Sequence, residues 1–226
     1  MVRDEIGDTT IIGSGLIATA MQSVHWAYDT VFYAAGVSNS ECTDPDEFKR
    51  ERNRIAEPLL KSGLFVYFSS CGVVGNMTPY LEHKLDMEEL VKKRGNYLII
   101  RLPIVAGHTP NPHTLLNFLY ARISRSEKFK LWRGAYRNVI DIADVSDIVE
   151  SLIRDGTVNE TVNVASPHNY PVAEIVRTFE EVTGKPAIYE AIERYDSYPI
   201  DTRRISGYET NFSGDYLFRT LKRYYR

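Results

Sequence analysis

Apolar and polar positions alternate along this chain in blocks that read as strand, turn, helix and strand again. Thr10-Ile11-Ile12-Gly13 is a short apolar run entering a glycine turn, and Gly15 to Ser23 follows with helical character. Thr30 to Ala35 is a second β-rich run, ended by Gly36. Asp44-Pro45 is a helix start, with Asp as N-cap and Pro at the first helical position. That helix is predicted to run to about Leu60, with a kink or early break at Pro58. Leu64 to Phe68 is the third strand, followed by a Ser-Ser-Cys-Gly turn. The stretch from Pro79 to about Arg94 is helical and closed by Gly95, and Tyr97 to Leu102 is the fourth strand.

Past residue 103 the character changes. His108 to Pro112 is a loop, and residues 113–124 form a helix. Asn138 to Asp141 is a short strand. Val145, Ile148, Val149, Leu152 and Ile153 mark one helical face that stops at Gly156. Thr161 to Ala165 is another strand. Val172, Ile175, Val176, Phe179 and Val182 repeat the helical spacing before Gly184, and Ser213 to Tyr225 forms a last helix with Leu217 and Leu221 inward. Strands and helices alternating at such short intervals predict an α/β fold built on a doubly wound parallel sheet. Residues 1–107 form an abbreviated dinucleotide-binding core on this reading. Residues 108–226 supply the remaining strands, interleaved with a small substrate-binding lobe in one structural unit.

Composition narrows the function classes. The 226 residues suffice for one sizeable core, and the apolar and charged fractions of 43% and 25% are those of an ordinary globular protein. A net charge of −3 gives no electrostatic reason to expect nucleic acid or an anionic membrane as partner. Cys42 and Cys71 have no paired spacing and read as free thiols of a reducing cytoplasm. The polar start, Met1 to Glu5, lacks the apolar stretch of a signal peptide. Apolar runs are strand-sized, too short to cross a bilayer. A soluble, cytoplasmic protein is the expectation. His108 and His113 flank a Pro-rich loop with no carboxylate or cysteine at ligand spacing, so no metal site is predicted. No G-x-S-x-G turn surrounds Ser69 or Ser70, which argues against a serine hydrolase.

Two features carry chemistry. Gly13-Ser14-Gly15-Leu16-Ile17-Ala18 follows a strand and opens a helix, the setting in which backbone N–H groups meet a pyrophosphate. Many strand–helix turns need such glycines for geometry alone. In Tyr80-Leu81-Glu82-His83-Lys84, a spacing of four sets a phenol and an ammonium on one helical face. A nearby cation favours the phenolate, which is the tuning a phenolic acid/base needs. Ser69 and Ser70 stand just before, at the carboxyl end of a strand, where open α/β sheets place their sites. A serine there can bond the oxygen that the tyrosine protonates, or can merely cap the turn.

Taken in order, these landmarks resemble the extended branch of the short-chain dehydrogenase/reductase family, the NAD-dependent sugar-nucleotide epimerases, dehydratases and reductases. The series begins with the Gly13–Ala18 turn, the Asp29–Gly36 strand, Asn53, and Phe68-Ser69-Ser70 with Gly75. It continues through Tyr80-x-x-x-Lys84 with Glu88, Arg101-Leu102-Pro103-Ile104-Val105-Ala106-Gly107, and Arg137 to Val145. Asn163-Val164-Ala165 and Ile205 to Tyr208 complete it. The resemblance implies that Tyr80 is the acid/base, and that Lys84 binds the nicotinamide ribose and lowers the tyrosine pKa. It implies that Ser70 holds the reacting oxygen and that Asn53 is a buried asparagine completing the catalytic group. Gly13, Gly15, Leu16, Ile17, Ala34, Ala35, Gly36, Lys84 and Pro103 would hold NAD or NADP. Arg137 falls where sugar-nucleotide members place an arginine on the diphosphate, and a surface salt bridge is its other reading. The implied activity is a 4-epimerase or 4-keto reductase acting on a nucleotide-linked sugar, with a homodimer expected from resemblance alone.

The chain departs from that pattern in three places. Between Ser23 and Asp29 there is room for a turn only, where the family has a strand, a helix and a strand. The residue that reads the adenosine ribose would sit there, which leaves NAD and NADP undistinguished; His25 and Trp26 are the nearest substitutes. The connection Asn76 to Pro79 is short and lacks a covering loop. Dehydratases of the family follow the catalytic Ser or Thr with Asp-Glu, and here those positions are Cys71 and Gly72. The rival reading, from another class, is a binding or regulatory module of this fold that has lost turnover with its adenosine half.

Overall fold

The computed structural model describes residues 8–24, 26, 28–208 and 212–226. It divides the chain into two compact units, one formed by 1–102 and 142–164, the other by 103–141 and 165–226.

The first unit holds a five-stranded, all-parallel sheet. Its strands are β1 (Thr9–Ile12), β2 (Thr30–Tyr33), β3 (Leu64–Ser70), β4 (Tyr97–Leu102) and β7 (Glu160–Asn163), in that spatial order. Register is continuous at the centre, with Tyr33 opposite Tyr67 and Tyr67 opposite Ile99. The helices are α1 (Leu16–Gln22), α2 (Pro45–Ala56), α3 (Pro79–Lys92) and α5 (Ile142–Arg154). Asp44 caps α2, accepting from the Asp46 N–H at 2.9 Å, and Pro45 opens it. The helix ends at Ala56, and Pro58–Leu60 continues as a 3₁₀ turn, so Pro58 acts as the expected break. Thr78 caps α3 through the Leu81 N–H.

Strand alternation sorts the two faces of this sheet. Val31, Tyr33, Phe65, Tyr67 and Ile99 face Ile55 of α2 and Met87 and Val91 of α3. On the other face α1 packs against α5, and the Trp26 ring just after α1 lies on Phe32 with centroids 4.4 Å apart. The steps β1 to β2, β2 to β3 and β3 to β4 all go the same way across the sheet. A helix on the opposite face therefore gives the β1–α1–β2 crossover the opposite hand to the next two. Right-handed crossovers are nearly universal, because a right-twisted strand packs its helix back that way. The first crossover is the exception, and among the described strands β1 forms the sheet edge.

The second unit is built around a long strand, β6 (Phe129–Asp141). It pairs in parallel with β5 (Ile104–Ala106) and β9 (Tyr189–Asp196), and antiparallel with β8 (Asn169–Pro171). Helices α4 (Leu115–Ser124), α6 (Val172–Thr183) and α7 (Tyr216–Tyr224) bury Leu116, Leu119, Ile175, Phe179, Leu217 and Leu221 against it. Buried Asp141 holds α7 in place, accepting from Arg223 Nη1 at 2.7 Å and from the Tyr224 hydroxyl at 2.6 Å. The sequence pattern shows only the last four residues of β6 and does not show β9, whose Tyr-Glu-Ala-Ile-Glu-Arg-Tyr-Asp run is largely exposed.

No described helix is long and apolar enough to cross a membrane.

Candidate active site

The carboxyl ends of β2 and β3 and the first two turns of α3 bring the candidate residues of the first unit together. The stripe that α3 buries contains Leu81, Met87 and Val91, but also His83, Lys84 and Glu88. Charged groups at 6% exposure or less need partners, and each has them. Lys84, 3% exposed, donates to the Tyr67 hydroxyl at 3.2 Å and to Glu51 Oε1 at 3.4 Å. His83 Nε2 lies 3.0 Å from Glu51 Oε2 and donates to it, since a carboxylate only accepts. Glu88 takes a two-point bond from Arg101, at 2.8 and 2.6 Å, and accepts from Ser69 Oγ at 2.6 Å. Ser69 is thereby committed to the framework.

Glu51 is the hub, and the sequence did not mark it. Besides Lys84 and His83 it accepts from the Tyr67 hydroxyl at 2.9 Å and from the Val37 N–H at 2.7 Å. The Tyr33 hydroxyl donates to its backbone carbonyl at 3.2 Å. Burial alone would raise its pKa. The His83 bond, the Lys84 charge and the Val37 N–H outweigh burial and hold it at about 2. Asn53, expected to be buried here, is exposed on α2. Two residues along a helix turn the side chain through about 200°, so Glu51 faces inward where Asn53 faces out. The placement of Asn53 in a catalytic group is corrected accordingly.

Gly36 makes this cluster possible. A Cβ there would lie 2.5 Å from Lys84 Nζ and 2.9 Å from Glu51 Oε1, so the glycine after β2 clears the space that the ion pair fills. The neighbouring Ala34 and Ala35 end the same strand, and the Ala34 N–H is bonded to Ile12 O.

Tyr80 is differently placed. It is partly buried, with Lys84 Nζ 5.7 Å from its ring centre, yet its hydroxyl has no hydrogen-bond partner among the described residues. No deeply buried side-chain oxygen is left unpaired, so that hydroxyl reaches solvent-accessible space. The expected lowering of its pKa by Lys84 is not found. Burial first, and then the Glu51 charge, push it upward. Ser70 Oγ accepts from the Gly72 N–H at 3.1 Å and thus caps the 3₁₀ turn Cys71–Val74. Its own proton goes to no described partner, so it caps the turn and still has a bond to give.

The Gly13-Ser14-Gly15 turn joins β1 to α1. Gly13 has φ +136°, and a Cβ there would stand 2.4 Å from Ala34 O, so the turn packs directly on the end of β2. Gly15 is the N-cap and offers no side-chain bond, which leaves the first N–H groups of α1, those of Leu16 and Ile17, without a side-chain cap. A Cβ on Gly15 would meet nothing within 4 Å, so a ligand can approach that backbone. Of the substitutes for a ribose-reading residue, His25 lies outside the described residues. Trp26 is 4% exposed and spends its Nε1–H on Met21 O, which makes it a core residue.

Pro103 and Arg137 belong to the second unit. The Arg137 guanidinium is paired with Asp196, Nη2 to Oδ2 at 2.6 Å, and also donates to the carbonyls of Tyr136 and Asp196. Among the described residues no group of three or more His, Cys, Asp or Glu side chains could hold a metal ion.

No protein-family model matches the sequence, and no curated protein matches it either. Solved structures do match the fold. RMD from Pseudomonas aeruginosa, complexed with NADPH, superposes with a TM-score of 0.76 at 16% identity, over 95% of this chain and 94% of its own. UDP-glucuronic acid 4-epimerase from Bacillus cereus, in complex with UDP-glucuronic acid and NAD, gives 0.72 at 16% identity, over 96% and 88%. The dTDP-glucose 4,6-dehydratase from Bacillus anthracis, in complex with NAD, gives 0.68 at 13%, over 85% and 70%. The chain therefore has the Rossmann-like α/β fold of these enzymes.

Proposed function

We propose that this protein is an NAD(P)-dependent redox enzyme of the extended short-chain dehydrogenase/reductase type, acting on a nucleotide-linked sugar as a 4-epimerase or 4-keto reductase. One observation carries the reading. Two hydroxyls keep an unspent proton, that of Tyr80, whose ring centre lies 5.7 Å from buried Lys84 Nζ, and that of Ser70 at the carboxyl end of β3. A framework role would have used them; Ser69, one residue away, is so used. The fold matches, whose members are complexed with NAD, NADPH and nucleotide sugars, point to the same chemistry.

The residues present fit such a cofactor over part of its length. Gly15, Leu16 and Ile17 would meet the pyrophosphate on open backbone, and Ala34 to Gly36 would line the path from there toward Lys84. When bound, the nicotinamide supplies or removes the hydride. Tyr80 passes the proton to or from the substrate oxygen, and Ser70 donates a hydrogen bond to that oxygen. The reversed first crossover supports the family reading as well. It is the arrangement left when strands outside β1 are absent and α1 keeps its face. Arg137 is proposed to meet the substrate diphosphate with the guanidinium that Asp196 orients.

The test is Tyr80→Phe, which removes one oxygen from a position with no hydrogen bond to lose. The fold and cofactor binding are expected to persist while turnover, followed at the reduced-nicotinamide absorbance band, falls by about 10² or more. Near-full activity in the variant would refute the assignment.

A further inference from the structure

We propose that Glu88 is a positioning residue, which joins the helix bearing Tyr80 to the strand end bearing Ser70 and so fixes where the Ser70 hydroxyl presents its proton. The inference rests on the reading of Tyr80 and Ser70 as the groups that handle the substrate oxygen, and adds to it what sets one against the other.

Four hydrogen bonds close a ring around the Ser70 backbone. On one side, Ser69 Oγ donates to Glu88 Oε1 at 2.6 Å. Glu88 takes two bonds from the Arg101 guanidinium, from Nε at 2.8 Å and from Nη2 at 2.6 Å. Arg101 stands opposite Ser69 in the β3–β4 register, and its carbonyl accepts from the Cys71 thiol at 3.2 Å. Both neighbours of Ser70 are thus tied to one ion pair, Ser69 through its hydroxyl and Cys71 through its thiol. Glu88 is fully buried and follows Tyr80 and Lys84 on α3 at successive spacings of four, about one turn each. The turn after Ser70 also meets the start of that helix directly. A Cβ on Gly72 would stand 3.2 Å from Leu81 Cδ2 and 3.3 Å from Ser70 Oγ, so Ser70 and the residue next to Tyr80 flank one glycine.

The consequence is geometric. A serine that donates one hydrogen bond to a reacting oxygen is effective only at the right distance and angle, and a misplacement of about 1 Å can cost about 10²-fold in rate. The bond from the Gly72 N–H to Ser70 Oγ is internal to the turn and does not fix the turn against α3. The Glu88 carboxylate supplies that polar link, and the two-point Arg101 bond holds the carboxylate itself in one orientation.

The experiment has two arms, and the first needs neither cofactor nor substrate. Buried Cys71 lies in the ring beside Ser70, and its alkylation by iodoacetamide, resolved from half-buried Cys42 by peptide mass spectrometry, reports how often the ring opens. In Glu88→Gln the Cys71 rate should rise by about tenfold or more beyond the factor accounted for by the loss of global stability in a urea melt. An ion pair that serves the fold alone would raise the rate by that factor and no further, and this result would overturn the proposal. If Glu88→Gln does not fold, Ser69→Ala cuts one corner of the ring, leaves both Arg101 bonds in place, and is read by the same two outcomes. The second arm is turnover with NAD and nucleotide-diphosphate glucose or mannose, followed as the 4-epimer by chromatography. The variant that folds should lower kcat by about tenfold with the NADH Kd unchanged, and should lower it no further in a Ser70→Ala background. Losses that multiply in the double variant would overturn the proposal, because Glu88 would then not act through Ser70. Wild-type protein that turns over neither sugar nor binds NADH would overturn the functional reading and this role with it, a failure told apart from the others because the Cys71 labelling does not depend on it.

Discussion

Glu51 shares one stripe of α2 with Phe48, whose ring stacks on His83, and with buried Ile55. In sequence it stands in a run of charges, Glu47, Arg50, Glu51, Arg52 and Arg54, that reads as a solvated face. Only its phase relative to Phe48 and Ile55 sets it apart, and the nearby Asn53 drew attention away by resemblance. Tyr80, Lys84 and Ser70 stand out as candidates in the sequence because their spacing and their place after a strand are local properties. The partners that set their charge state come from α2 and β3, and no local pattern shows them. Cys71 makes the same point in reverse. Its thiol is buried, bonded to Arg101 O at 3.2 Å and pushed up to about 12 by burial, with the Arg101 charge opposing. It cannot protonate a leaving hydroxyl, and Gly72 beside it has no side chain. The protein is therefore expected not to dehydrate nucleotide-diphosphate glucose or mannose in the presence of NAD. Mass spectrometry of the incubated sugar should show no loss of water, whereas a 4-keto-6-deoxy product formed at enzymatic rates would count against this site chemistry.

At the scale of elements, the central strands and the long helices followed from period and caps. Asp44-Pro45, Thr78-Pro79 and the breaks at Pro58 and Gly184 are all where side-chain chemistry demands them. β9 escaped because charged residues interrupt its alternation and none of its eight residues is buried, six being exposed and two half-buried; parallel pairing to β6 holds it. The β1–α1 turn has an exacting geometry. Gly13 combines a left-handed φ with backbone contact to Ala34, and neither neighbour is a flexible side chain that could yield. Gly13→Ala should cost about 2 kcal/mol, which for a chain of this size lowers Tm by about 4 to 8 °C. A thermal melt unchanged in Gly13→Ala would show that the turn is looser than this packing implies.

For the whole molecule, fold class and parallel sheet were readable from the order of elements, but the hand of the first crossover was not. Seven residues, 23–29, bring the chain from α1 back to β2, and nothing in their composition says on which face the helix lies. That reversal leaves β1 at the edge of the described sheet and leaves Trp26 in the core, so on the proposed reading the adenosine end of a dinucleotide has little to meet among the described residues. The proposed function then expects recognition to come from the pyrophosphate and nicotinamide ends. The most direct measurement is a fluorescence titration of the purified protein with NADH and with NADPH, followed by displacement with reduced nicotinamide mononucleotide and with AMP. The account predicts that both dinucleotides bind with Kd values within about tenfold of each other, a difference below about 1.4 kcal/mol. It also predicts that the nicotinamide mononucleotide competes while AMP does not. Absence of binding by either dinucleotide would contradict the proposed function, and displacement by AMP alone would contradict the assignment of the open end of the site.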